Sequence, residues 1–265
     1  MSRIAFVLAF HAYALGAIAY LALLSSGREG LVWTARVLTG AGWVLHGLGL
    51  AVLLSPQGFR PHGVAQSLSV IAFLLVGLLL AVELRTHAPV LGAFVAPAAV
   101  AVWLPALWAG PADQALAGPA RAPILVFHIA VALAGLAVFA VATGVAVAFL
   151  LLERQVKGKR FGVLFERLPS LELLDGLNQR LVIGGFVALT LTLVTGLWIA
   201  ARSDTARSLQ AVEITTAVAW LVFAALLQAR LLAGWRGRRV AWLTMAGFGL
   251  LVLSFVGTYG PGGVR

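Results

Sequence analysis

The chain of 265 residues is 62% hydrophobic and 11% charged, with a mean hydropathy of +1.01 and a net charge of +10. A soluble domain of this size does not tolerate such a surface, so the chain reads as an integral membrane protein; it has no cysteine, which excludes disulfides, thioether attachment and thiol exchange. The positive charge does not point to nucleic acid, because it gathers just beyond apolar stretches, at Arg154 to Arg160 and Arg230 to Arg239, as a topology signal does.

Crossing the hydrocarbon takes about 20 apolar residues, and eight stretches meet that length, at 4–25, 32–54, 66–84, 90–109, 123–152, 180–201, 209–230 and 238–257. Backbone groups in lipid must be satisfied internally, which makes all eight helices. The expected fold is therefore all-α, a polytopic helical bundle forming one integral membrane domain over 1–265. The first stretch, Ile4 to Leu24 after Arg3, exceeds the h-region of a signal peptide and reads as a retained span. Pro97 and Pro105 interrupt the fourth. After the fifth comes a loop, 153–179, in which Phe161, Leu164, Phe165, Leu168, Leu171, Leu174 and Leu177 recur at helical spacing. It reads as an amphipathic interfacial connector, broken at Pro169 and restarted by Ser170 as an N-cap. No fixed-period repeat is visible. Trp33, Trp103, Trp108, Trp198 and Trp235 fall near span ends, where an aromatic belt accounts for them.

An even number of crossings puts both termini on one side and divides the loops into two sets. The loops after spans one, three, five and seven hold twelve Lys and Arg, from Arg28 to Arg239, against six in the other set and the termini. That asymmetry makes the first set cytoplasmic and both termini periplasmic. The chain is accordingly expected to be a multi-pass membrane protein.

Three histidines lie inside spans, where an unpaired imidazole is costly and marks a candidate site. With this orientation His11, His46 and His128 all fall in the outer half of the membrane, about one to two turns below its surface. Gly42, Gly47, Gly49 and Gly135 permit close helix approach near them. Neutral imidazole is a common ligand of haem iron, and the sequence offers neither the Cys or Met set for copper nor the carboxylates for zinc. Two facing histidines around one haem, in a pocket with aromatics such as Trp43 and Phe127, would suit an apolar bilayer site. The plainer alternative is that each histidine hydrogen-bonds a neighbouring helix. His62 reads as a solvated loop residue and His87 as structural; Glu213, preceded by Ser208 and Gln210, reads as interfacial.

Several motifs together carry a family resemblance: Gly42-Trp43-Val44-Leu45-His46, Gly92-Ala93-Phe94-Val95-Ala96-Pro97, Ile124-Leu125-Val126-Phe127-His128-Ile129, Leu168-Pro169-Ser170-Leu171-Glu172 and Gly234-Trp235-Arg236-Gly237-Arg238-Arg239. The series resembles the cytochrome c assembly family, the CcsA and CcmC type, and within it the HemX and YpjD branch. The resemblance implies a haem-handling protein at the outer membrane face, with His46 and His128 matching intramembrane histidines; it gives His11 no counterpart. The full haem-transfer members carry a tryptophan-rich motif ending in Trp-Asp before span seven. Here that loop reads Ala200-Ala201-Arg202-Ser203-Asp204-Thr205-Ala206-Arg207, a span-seven histidine is replaced by Gln228, and Thr258 to Gly263 contains no histidine.

The expectation is a non-enzymatic membrane protein that binds b-type haem non-covalently in cytochrome c assembly or a related haem process. His46 and His128 are the axial-ligand candidates, through haem iron, and His11 is a third. Its expected partners are haem, apocytochrome c, other maturation membrane proteins and the lipid bilayer, with no nucleic acid. The alternatives are a transporter of haem or another small molecule, and a structural or regulatory membrane partner without haem.

Overall fold

The computed structural model describes residues 2–54, 63–108, 123–159, 162–202 and 211–259. Among the described residues every regular element is helical: α1 (Ser2–Ser26), α2 (Gly30–Leu54), α3 (Gly63–Thr86), a 3-10 turn (Pro89–Leu91) leading into α4 (Gly92–Trp108), α5 (Pro123–Lys157), the short α6 (Val163–Arg167), α7 (Leu171–Ala201), α8 (Ala211–Leu232) and α9 (Arg238–Tyr259). Eight of these are long and apolar enough to cross a membrane.

Helix bounds depart from the apolar stretches where a helix continues into a polar setting. The 35-residue α5 runs on to Lys157, with Arg154 and Lys157 in its last turn, where cations complement the exposed carbonyls, and Lys157 pairs with Glu153 at 2.7 Å. Ser170 caps α7, its hydroxyl accepting from Leu173 N at 3.2 Å. The helix it starts does not end at the interface but continues as the sixth span, 31 residues in all. The 153–179 segment is thus the end of α5, the five-residue α6 and the opening turns of α7, not a separate surface helix. Pro97 and Pro105 lie inside α4 without ending it.

Gly27 closes α1 in the left-handed region, at φ +67°, and its N–H bonds Leu23 O at 2.9 Å. Arg167 of α6 donates to the same carbonyl at 3.1 Å, tying α6 to this turn.

Packing divides the long helices into two groups of four. In the first, α1 lies on α2 and α4, α3 lies on α4, and α2 meets α3 only narrowly. In the second, α5 lies on α7 and α9, α8 lies on α9, and α7 meets α8 only narrowly. The groups join mainly where α3 meets α5. The chain therefore contains two four-helix units of the same packing order, running in the same direction because four crossings separate them. No such repeat was legible as a fixed period in the sequence.

Candidate functional site

Helix position sets the depth of each histidine. His11 lies in the first half of α1, His46 in the second half of α2 and His128 near the start of α5, all toward the side away from the α1–α2, α3–α4 and α8–α9 turns.

His46 is fully buried inside the first unit. Its Nε2 is 2.8 Å from Ser69 Oγ on α3 and its Nδ1 is 3.3 Å from the Tyr13 hydroxyl on α1. The ring stacks on Trp103 of α4, centroids 3.8 Å apart and planes 5° from parallel. Phe6, Tyr13 and Phe73 approach its remaining sides at 5.6–5.7 Å. One histidine thus joins all four helices of the unit, as a hydrogen-bonded polar residue in a core does. Trp103, expected at an interface, is 2% exposed and belongs to this core.

His128 sits in the second unit, between α5 and α7. Its Nδ1 is 2.8 Å from Thr195 Oγ1. That hydroxyl has one proton and also lies 2.7 Å from the backbone carbonyl of Leu191 and 3.1 Å from that of Thr192; with the proton on either carbonyl it accepts from the imidazole. In that arrangement His128 carries its proton on Nδ1 and its lone pair on Nε2, the tautomer that ligates metal through Nε2. The glycine at 196 makes room for the ring: a Cβ there would lie 3.2 Å from His128 Cε1.

The two histidines do not face one another. They share no hydrogen-bond or ring partner, and α2 and α5 are not among the helix pairs in extended contact. Phe127 is 46% exposed, while Trp43 stacks on Phe73 and donates to its carbonyl at 3.1 Å. His11 is exposed; its Nδ1 donates to Val7 O at 2.7 Å in its own helix. His87 caps α3 at φ +54°, its N–H on Glu83 O. Glu213 lies in the first turn of α8. His62, most of the loop before α8 with Ser208 and Gln210, and residues 260–263 lie outside the described residues, as does the side chain of Trp108.

Two ion pairs were not legible in the sequence: Arg36 and Glu83 are single charges within apolar runs, which leave the hydropathy average almost unchanged, and Asp175 and Arg230 read as loop charges. Arg36 Nε contacts Glu83 Oε2 at 3.1 Å, with Glu83 1% exposed. The Tyr20 hydroxyl and Glu83 Oε1 are buried beside this pair. Asp175 accepts from Arg230 Nη2 at 2.6 Å and from Gly237 N at 3.0 Å.

Two adjoining apolar cavities, each of about 300 Å³, lie between α2, α3 and α5. Trp43, Gly47, Phe73 and Gly77 line one side, Ala130 and Ala134 the other, and no histidine reaches them. Among the described residues no three His, Cys, Asp or Glu gather around a metal position. For haem iron, His128 is the residue whose chemistry fits. His46 does not fit in this arrangement, since both its nitrogens are engaged and Trp103 covers one face.

Comparison with known proteins bears on both histidines. Residues 43–260 match the family model described as cytochrome C assembly protein. The chain belongs to the cytochrome c assembly protein family. It is a multi-pass membrane protein within that family, and His46 and His128 fall in the matched region while His11 does not. Over 97 residues it is 38% identical to the cytochrome c biogenesis protein CcsA of Synechococcus sp. (strain JA-2-3B'a(2-13)), covering 36% of this chain and 28% of the relative. It is 39% identical over 87 residues to the CcsA of Prochlorococcus marinus subsp. pastoris and 36% over 93 residues to that of Synechococcus elongatus, covering 28% and 29% of those relatives. The matched stretch thus spans less than a third of the length of these curated relatives.

Proposed function

We propose that this protein handles haem in cytochrome c assembly, holding a b-type haem non-covalently through Nε2 of His128. The observation that supports this reading is the Thr195 hydroxyl 2.8 Å from Nδ1, which, bonded onward to the Leu191 carbonyl, leaves Nε2 to ligate metal. Bound haem would supply a redox-active iron; the chain's own part is to orient His128, with Thr195 holding the Nδ1 proton and Gly196 leaving space for the ring. No catalytic turnover is required. His46 acts as the post around which the first unit packs.

In the same proposal the protein lies in the bacterial inner membrane with both termini periplasmic, which places His128 near the outer face, and its partners are apocytochrome c and other maturation membrane proteins. The parallel repeat is the observation that favours a transporter instead, since parallel repeats recur in transporter folds.

The test is a reduced-minus-oxidised spectrum of the protein purified in mild detergent after haem is supplied during expression. Wild type and His46→Ala should show the b-type bands and His128→Ala should lose them. A colourless wild type overturns the haem reading and promotes a structural partner. Full haem content in His128→Ala moves the site elsewhere.

A further inference from the structure

The two units repeat the register of their buried residues as well as their packing order. Ala9, Tyr13 and Leu23 of α1 correspond, at one offset, to Gly135, Phe139 and Phe149 of α5, all six buried. In the same way Ala72, Leu79 and Glu83 of α3 correspond to Ala219, Leu226 and Arg230 of α8. Val95, Ala96 and Ala99 of α4 correspond to Val240, Ala241 and Thr244 of α9. On the second helix of each unit, Gly42 and Gly185 are the close-approach points: a Cβ would lie 2.7 Å from Tyr13 and 2.8 Å from Phe139. The stacked pair Trp43–Phe73 recurs with its members exchanged as Phe186–Trp220. The ion pair Arg36–Glu83 recurs with its signs reversed as Asp175–Arg230, one turn away on the second helix.

This repeat is open rather than closed. The first helix of the second unit, α5, seats beside the groove between α2 and α3, where Phe73 and Leu74 face Ala130 and Ala134. Among the described residues no helix outside the unit is in extended contact with the corresponding groove between α7 and α8. The exposures follow. Val70 is 7% exposed, and its counterpart Ala217 is exposed; Leu74 is partly buried, and its counterpart Leu221 is 58% exposed.

The converse holds on α1. Ala130 and Ala134 are partly buried and Ala137 is buried against the first unit, while their counterparts Ile4, Leu8 and His11 form an exposed stripe. In that stripe His11 donates through Nδ1 to Val7 O, so Nε2 presents a lone pair where lipid offers no donor.

We infer that a second copy of this chain lays the α1 stripe of Ile4, Leu8 and His11 against α8 beside the groove between α7 and α8, repeating between copies the contact that α5 makes with α3 within one. The contact is head to tail, so copies add in one direction until a ring closes.

The absence of cysteine makes the test clean. Two differently tagged copies, one Leu8→Cys and one Leu221→Cys, are expressed together and oxidised in native membranes. The expected result is a disulfide-linked heterodimer absent from either variant alone. An in-chain pair, Leu74→Cys with Ala134→Cys, reports that oxidation reaches the repeat-equivalent contact. Adding Ala217→Trp to the Leu221→Cys copy fills the groove and should reduce the heterodimer to the level of the single variants while the in-chain pair still closes. The inference is overturned if the in-chain pair forms and the heterodimer does not. It is equally overturned if Leu8→Cys dimerises by itself or if the cross-link captures a different protein.

Discussion

Replacing Thr195 by valine removes one hydroxyl and nearly nothing else. The side chain keeps its shape, and the bonds lost to Leu191 O and Thr192 O are additional to the helix's own ladder. What changes is the 2.8 Å partner of His128 Nδ1. A donor left unpaired away from water costs about 1–3 kcal/mol, and loss of the partner that orients a metal-bound histidine weakens metal affinity roughly 10- to 100-fold. The two estimates agree, because each tenfold corresponds to about 1.4 kcal/mol. Titration of haem into the purified protein, followed at the Soret band, should show Thr195→Val weakened by that factor and Thr195→Ser close to wild type. If Thr195→Val binds haem as wild type does while His128→Ala does not bind, the hydroxyl does not orient the ligand. If serine and valine are equally weak, packing rather than hydrogen bonding is responsible.

Adjacent glycines on α7 supply a controlled pair: Gly185→Ala places a Cβ 2.8 Å from the Phe139 ring, whereas nothing lies within 4 Å of the same atom at Gly184. Gly185→Ala should cost about 1–3 kcal/mol through overpacking and lower the melting temperature in detergent, with Gly184→Ala unchanged; equal behaviour of the two would refute the α5–α7 contact. His46→Ala empties a fully buried position among four aromatic rings. It should lower thermal stability by a margin comparable to aromatic truncations, about 3–5 kcal/mol, and leave haem per folded molecule unchanged. Loss of haem at unchanged stability would instead identify His46 as a ligand. Arg230→Met strands Asp175 near the α8–α9 turn and should cost about 3–5 kcal/mol, against less than about 0.5 kcal/mol for Lys157→Met in the exposed pair with Glu153; chemical or thermal unfolding of the two variants side by side decides. Ser170→Ala, which removes the cap of α7, should cost about 1 kcal/mol in the same assay.

The eight spans and the helical class were legible because hydrocarbon permits one solution: an apolar run of sufficient length must close its own hydrogen bonds. Ser170 was legible as a cap, since its chemistry is local. The overrun of α5 to Lys157 and of α7 back to Leu171 was not, because hydropathy reports the lipid-bounded part of a helix and says nothing of turns that continue in water. The repeat leaves no fixed period in the sequence because connections of unequal length separate the helices, so corresponding residues share an offset within a helix but no common period.

The histidines mark the limit most clearly. Sequence determined that His46 and His128 lie inside apolar helices and that the motifs around them belong to the cytochrome c assembly family. Only the tertiary structure decided that they occupy separate units, that Ser69, Tyr13 and Trp103 close around His46, and that Thr195 meets Nδ1 of His128. A residue's depth in the membrane follows from its own helix, whereas its partners come from helices far away in sequence. Helix order does not fix which faces meet.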